Sequence, residues 1–126
     1  MAAAILVVDD DESIRDLLRL HLNAAGYEVH SASDAIEAGY VVLRSPPDLI
    51  ICDIQMPHMD GFEFVAAMRA DTTLPRIPVI FLTSMSEGDA RGKELGAVAY
   101  LRKPVRADRL LQLVAKHVPG GALPIG

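Results

Sequence analysis

Residues Leu49-Ile50-Ile51-Cys52 run without a polar interruption into the carboxylate of Asp53, and the chain then turns through Met56-Pro57-His58-Met59-Asp60-Gly61. A short run of apolar, largely β-branched residues bounded by turn signals describes a strand covered on both faces, as strands of parallel sheets are. In open α/β sheets ligands bind outside the carboxyl ends of the strands. Asp53 is therefore placed where such proteins do their chemistry. A lone acid at a strand end is more simply a turn cap, so its meaning depends on which other groups reach the same place.

The same pattern recurs. Ala4 to Val8 is a second apolar run and closes on Asp9-Asp10-Asp11-Glu12. From Glu12 the period changes: Ile14, Leu17, Leu18 and Leu22 recur at helical spacing, and Gly26 ends that helix. Tyr27 to Ala32 alternates weakly and predicts a short strand, after which Ser33 or Asp34 caps a helix from Ala35 to Arg44. Gly39 weakens this helix and Ser45-Pro46-Pro47 stops it. After Gly61, the positions Phe62, Val65, Met68 and Arg69 mark a third helix, which breaks near Asp71 to Pro75.

Pro78 to Leu82 predicts a fourth buried strand, ending in the hydroxyls of Thr83-Ser84. A helix from about Glu87 to Leu95 contains Gly88 and Gly92, each costing roughly 1 kcal/mol against Ala, and Gly96 is placed to terminate it. Val98 to Arg102 is a fifth strand, with Lys103-Pro104 at its end. The last helix carries Leu110, Leu111, Leu113, Val114 and Val118 and finishes at Pro119-Gly120-Gly121.

Five strands alternating with five helices specify an α/β fold with a parallel sheet, because each connection is too long for a hairpin and right for a crossover. At 126 residues the common solution is the flavodoxin-like, doubly wound, five-stranded parallel sheet of order 2-1-3-4-5, whose switch point lies between strands one and three. Residues 1–118 are expected to form one domain, and 119–126 a Pro/Gly-rich tail or linker stub.

A net charge of −5 argues against a nucleic-acid surface, which would present a basic stripe. The first residues lack the basic start of a signal peptide and are too short to span a bilayer before Asp9. The expectation is a cytoplasmic protein with no membrane insertion. The single cysteine, Cys52, lies inside an apolar run and reads as a core thiol.

In the expected fold Asp9, Asp10, Asp53, Thr83 and Lys103 all project from strand carboxyl ends into one shallow pocket. Three clustered carboxylates raise one another's pKa unless a cation compensates, and such oxygen ligands suit Mg²⁺. A carboxylate beside a metal can attack phosphorus to give an aspartyl phosphate. Asp53 is the candidate nucleophile, with Lys103 as a point charge and the Thr83 hydroxyl as a donor to phosphoryl oxygens.

With those residues in place the chain resembles the receiver domain of two-component response regulators (the chemotaxis-Y-like superfamily) from Ile5 to about Val118. The resemblance is carried by Val7-Val8-Asp9-Asp10, by Asp53 with Met56-Pro57 and Met59-Asp60-Gly61, by Leu82-Thr83-Ser84, and by Tyr100 with Lys103-Pro104. It implies that Asp53 accepts a phosphoryl group from a histidine kinase or phosphotransfer protein. It implies further that Asp10, Asp53 and the Gln55 backbone carbonyl bind Mg²⁺ directly, with Mn²⁺ able to substitute, and that Asp9 reaches the ion through water. Ser84 and Lys103 are expected to bind the phosphoryl group.

By the same resemblance Thr83 and Tyr100 are switch residues that remodel a surface of helix four, strand five and helix five for a downstream protein target. Lys103-Pro104 is expected to be cis, and Gln55 and Met85 to tune dephosphorylation, Met85 by shielding the phosphoryl group from water. The protein would be a phosphorylation switch rather than an enzyme, catalysing only its own phosphoryl transfer and slow autodephosphorylation. It would be a monomer or a weak phosphorylation-dependent dimer, without direct nucleic-acid binding.

Residues 88–118 hold seven basic groups against three acids, a local +4 that leaves −9 for the remainder. An acidic protein partner on the last helices would exploit that separation. A single-domain regulator is the main expectation, and a receiver excised from a larger regulator or hybrid kinase is the alternative. A flavodoxin-like electron carrier is disfavoured because Asp9-Asp10-Asp11 would repel the FMN phosphate. A phosphohydrolase would want an acid where Gln55 stands.

Overall fold

A computed structural model describes residues 2–84 and 89–118, with the side chains of 89–91 excepted. The expectations for Met85, for the first turn of the fourth helix and for the tail at 119–126 lie outside the described residues. Five strands and five helices alternate: β1 Ala4–Val8, α1 Glu12–Ala24, β2 Glu28–Ala32, α2 Ala35–Arg44, β3 Leu49–Asp53, α3 Gly61–Ala70, β4 Val79–Thr83, α4 Asp89–Glu94, β5 Ala99–Arg102 and α5 Ala107–His117. The sheet order is β2-β1-β3-β4-β5, and every pairing is parallel. This is the flavodoxin-like arrangement expected from the alternation of apolar runs and amphipathic helices.

Alternation along the strands divides the core into two layers. Leu6, Val8, Ile50, Cys52, Val79 and Phe81 face the side covered by α2 and α3. Ile5, Val7, Leu49, Ile51, Ile80 and Leu82 face the side holding Leu18 and Leu22 of α1 and Leu110, Leu113 and Val114 of α5. All five residues of β3 are buried, and each fully buried aliphatic side chain contributes about 1.5–3 kcal/mol of transfer free energy. Leu49 to Cys52 are fully enclosed, as are Ile5 to Val8 and Val79 to Leu82, and Asp53 follows Cys52 directly.

The loops are fixed by side chains that the sequence supplies at each turn. Asp11, Asp34 and Asp60 cap α1, α2 and α3, each carboxylate accepting a backbone N–H of the first turn. Asp34, rather than Ser33, is thus the cap of α2. At α3 the cap is reciprocal: Glu63 N–H donates to Asp60 at 2.8 Å and Asp60 N–H donates to Glu63 at 3.0 Å, a capping box.

Among the described residues, both glycines with positive φ end helices. Gly26 (φ 97°) follows α1, and Gly96 (φ 81°) follows α4 as expected. In each case the glycine N–H and the next N–H turn back to carbonyls of the last helical turn: Gly26 to Asn23 and Tyr27 to Leu22, Gly96 to Lys93 and Ala97 to Gly92. These are Schellman closures, which need a left-handed residue. The first of them draws Tyr27 out of β2, which starts one residue later than its pattern suggests, and buries its ring in the core. Among the described residues no helix is long and apolar enough to cross a membrane.

Candidate functional site

Asp9 follows the last residue of β1 and is fully buried. Its N–H donates to the Ala32 carbonyl at 3.2 Å, extending the β1–β2 ladder by one step. One carboxylate oxygen, Oδ1, accepts the Asp11 N–H at 2.9 Å, and the backbone carbonyl accepts Arg15 Nη1 at 2.7 Å. Asp9 is therefore held on three sides before any ligand is considered. Asp10, the next residue, is exposed.

Asp53 closes β3 at 5% exposure. The Lys103 ammonium stands between the two buried acids, 3.0 Å from Asp9 Oδ2 and 3.3 Å from Asp53 Oδ2. Its backbone is fixed as well, because Lys103 N–H donates to the Thr83 carbonyl at 2.9 Å. The approach to Asp9 is an ion pair rather than an aligned hydrogen bond, and it leaves the buried Oδ2 with unused acceptor capacity.

Burial raises the Asp53 carboxyl above its ordinary value, and the neighbouring Asp9 charge raises it further; Lys103 and the Gln55 backbone N–H pull the other way without overcoming them. For Lys103 burial works to lower the ammonium. The close approach of Asp9 and the charges of Asp53 and Asp9 outweigh it, so the net direction is upward. Lys103 is thus held in its charged form, but one ammonium cannot balance the whole cluster.

Carboxylate oxygens of Asp9, Asp10 and Asp53 lie within 4.8 Å of one another. Against three such groups Lys103 supplies one positive charge, which leaves the pocket two charges negative. Clustered carboxylates with hard oxygen donors, one of them exposed, are compatible with a divalent cation that keeps some of its water. The spare acceptor capacity on Asp9 and the upward pressure on Asp53 fit a further cation at this place.

The remaining expected residues take their places around this cluster. Thr83 is the last residue of β4 and is buried, while Ser84 beside it is exposed. Gln55 is exposed in the β3–α3 loop, one residue beyond Ile54, whose N–H donates to Leu82. Lys103-Pro104 is cis, as expected. Tyr100 is half-buried on β5 and packed with the α2/α3 layer.

Two contributors were not legible as site residues. Gly61 reads as a turn marker, yet a β-carbon there would lie 2.3 Å from the Asp53 carbonyl oxygen. Arg15 reads as part of the polar face of α1, yet its guanidinium holds the backbone of Asp9. Its position six residues after Asp9, on the first turn of α1, was the available signal. Cys52 is a core thiol whose pKa is driven up by burial and then by the nearby acids.

A doubly wound parallel sheet with an acidic pocket at the switch point between β1 and β3 defines a class of ligand-binding α/β protein. Within it, the profile of the response regulator receiver domain matches residues 5–115, and the chain belongs to that family. The chain is 36% identical over 121 residues to the sporulation initiation phosphotransferase F of Bacillus subtilis, covering 94% of this chain and 96% of that protein. It is 37% identical over 112 residues to the DNA-binding dual master transcriptional regulator RpaA of Synechocystis, covering 87% of this chain but 46% of that one. Among solved structures, chemotaxis protein CheY4 of Vibrio cholerae superposes with a TM-score of 0.87 at 37% identity, covering 93% of this chain and 99% of that chain. The chain spans less than half the length of the first curated relatives it matches.

Proposed function

We propose that Asp53 is the phosphoacceptor of this receiver domain and that its phosphorylation switches a protein-binding surface. The observation that carries this reading is the shared ammonium: Lys103 lies 3.0 Å from Asp9 and 3.3 Å from Asp53, at the ends of three different strands. Three carboxylates gathered beside one compensating charge at converging strand ends support this reading.

In the transfer an Asp53 carboxylate oxygen forms a new O–P bond as the N–P bond of a phosphohistidine donor breaks, and the imidazole leaves with that bond's electron pair. Lys103 would meet a phosphoryl oxygen as the charge arrives, and the hydroxyls of Thr83 and Ser84 would donate to others. Asp9, pinned through Oδ1 and its carbonyl, keeps the acidic wall from collapsing onto the acceptor. Bound Mg²⁺, or Mn²⁺ in its place, held by Asp10, Asp53 and the Gln55 carbonyl with Asp9 behind, would neutralise the transferring group and align it. The donor class is a histidine kinase or a phosphotransfer protein.

Thr83 and Tyr100 are the residues through which the change is read. The output surface lies on α4, β5 and α5, where a cavity of about 400 Å³ is lined by Tyr100, Leu101, Arg102, Pro104, Arg106 and Arg109. Three arginines around one cavity favour an acidic protein segment as the target. Arg106 spends part of its charge on Asp108 at 3.3 Å, and both are exposed.

The deciding experiment is incubation with Mg²⁺ and a small phosphodonor, followed by intact mass. A phosphoryl gain in the wild type that is absent from Asp53→Asn is the expected result. No gain in the wild type would end this reading, and charge reversal at Arg106 and Arg109 with target binding unchanged would end its acidic-partner component.

A further inference from the structure

Tyr100 is enclosed on two sides by aromatic and helical neighbours. Its ring lies beside Phe81 with centroids 5.9 Å apart at 34°, and Phe81 in turn meets Phe62 of α3 edge-on at 5.0 Å. The other wall is α4. A β-carbon on Gly92 would stand 1.6 Å from the Tyr100 hydroxyl oxygen, 2.6 Å from its Cζ and 3.3 Å from Phe81 Cδ2. A methyl group and the phenol cannot occupy that volume together.

Nothing in the backbone asks for glycine at this position. The left-handed conformation of this region belongs to Gly96, and Gly92 lies inside α4, where alanine is intrinsically favoured. Nor is the helix end free to retreat, since the Gly92 carbonyl accepts the N–H of Ala97 at 2.9 Å and of Leu95 at 3.1 Å. The group that must yield to a side chain here is Tyr100, which can leave by rotating about χ1.

We propose that Gly92 is the positioning residue for Tyr100: its bare Cα is the seat of the phenol, and any side chain at 92 expels the ring from Phe81. The inference deepens, and rests on, the reading of Tyr100 as the residue that reports phosphorylation. On that reading α4 governs the switch by what it lacks, because the seat exists only while Gly92 faces Phe81.

The test uses nuclear Overhauser contacts between the Tyr100 and Phe81 rings in the full chain, with Phe62–Phe81 contacts as the control for an intact core. In Gly92→Ala the Tyr100–Phe81 contacts are expected to disappear while Phe62–Phe81 persists. In a Tyr100→Ala background, Gly92→Ala should lower the unfolding equilibrium constant about fivefold, the helix-propensity gain of Ala over Gly; with Tyr100 present that gain should vanish or reverse. Retained Tyr100–Phe81 contacts in Gly92→Ala, or the same gain in both backgrounds, would overturn the proposal. Should Gly92→Ala alone fail to fold, folding of Gly92→Ala/Tyr100→Ala supports the seat and its failure refutes it. The switch reading fails by a different sign: unaltered Tyr100 contacts in the wild type after phosphorylation of Asp53.

Discussion

The backbone carbonyl of Asp53 and the α-carbon of Gly61 are packed so closely that a β-carbon at 61 would lie 2.3 Å from the oxygen and 3.0 Å from the Ile54 α-carbon. Gly61 N–H also donates to the Ile54 carbonyl at 2.8 Å, so the start of α3 is fastened to the end of β3. Gly61→Ala sets backbone against backbone, with no side chain to rotate away. It should cost about 1–3 kcal/mol, as overpacking does, and slow phosphoryl uptake by Asp53. Urea unfolding and the rate of mass gain with a small phosphodonor check the two parts.

Gly39 offers the opposite case. It lies within α2, and a β-carbon there would meet nothing within 4 Å. Gly39→Ala should therefore stabilise by about 0.5–1 kcal/mol through the unfolded chain alone, with phosphorylation unchanged. A thermal melt shifted downward would contradict this.

Metal-free stability should carry the signature of Asp53. Its folded pKa lies above the unfolded value near 3.8, chiefly from burial, so the folded state binds this proton more tightly. Stability from this group is present at low pH and is lost as pH rises through the folded pKa. Asp11 and Asp71, held low by hydrogen bonds from Ser13 and Thr73, slope the other way. The Asp53 contribution is thus the difference between the wild type and Asp53→Asn in denaturant unfolding followed upward from pH 3.5, and the wild type should lose relative stability across that rise.

Mg²⁺ should remove part of that cost at neutral pH. An ion that binds only the folded state stabilises by about 2.7 kcal/mol at a hundred times its Kd. Asp10→Ala, at an exposed position outside the core, should leave the metal-free melting temperature nearly unchanged but suppress the Mg²⁺-dependent rise. An equal rise in both proteins would place the cation elsewhere.

The strand order and the acidic pocket were readable because both follow from one pattern, apolar runs ending in charge, which the pleat and the crossover rule convert into geometry. The places of Lys103 and Thr83 were readable for the same reason: Thr83 ends β4 and Lys103 follows β5. Gly61 and Gly92 were not, because a missing side chain reveals its purpose only through what fills the space. The outer face of α2 was equally opaque. Ile36, Tyr40 and Leu43 are each more than 60% exposed, beside a cleft of about 300 Å³ between α2 and α3. Periodicity cannot tell a covered apolar face from a bare one.

Asp53 is the terminus of a strand gripped by β1 on one side and β4 on the other, with its first four side chains wholly enclosed. A strand so clamped is an anvil: it cannot recoil when a doubly charged group is set upon its tip. On the proposed phosphoacceptor role, any displacement would have to be taken up by neighbours gripped less completely, such as the edge strand β5, paired on one side alone, so the direction in which a signal travels would be set by which part of the sheet refuses to move.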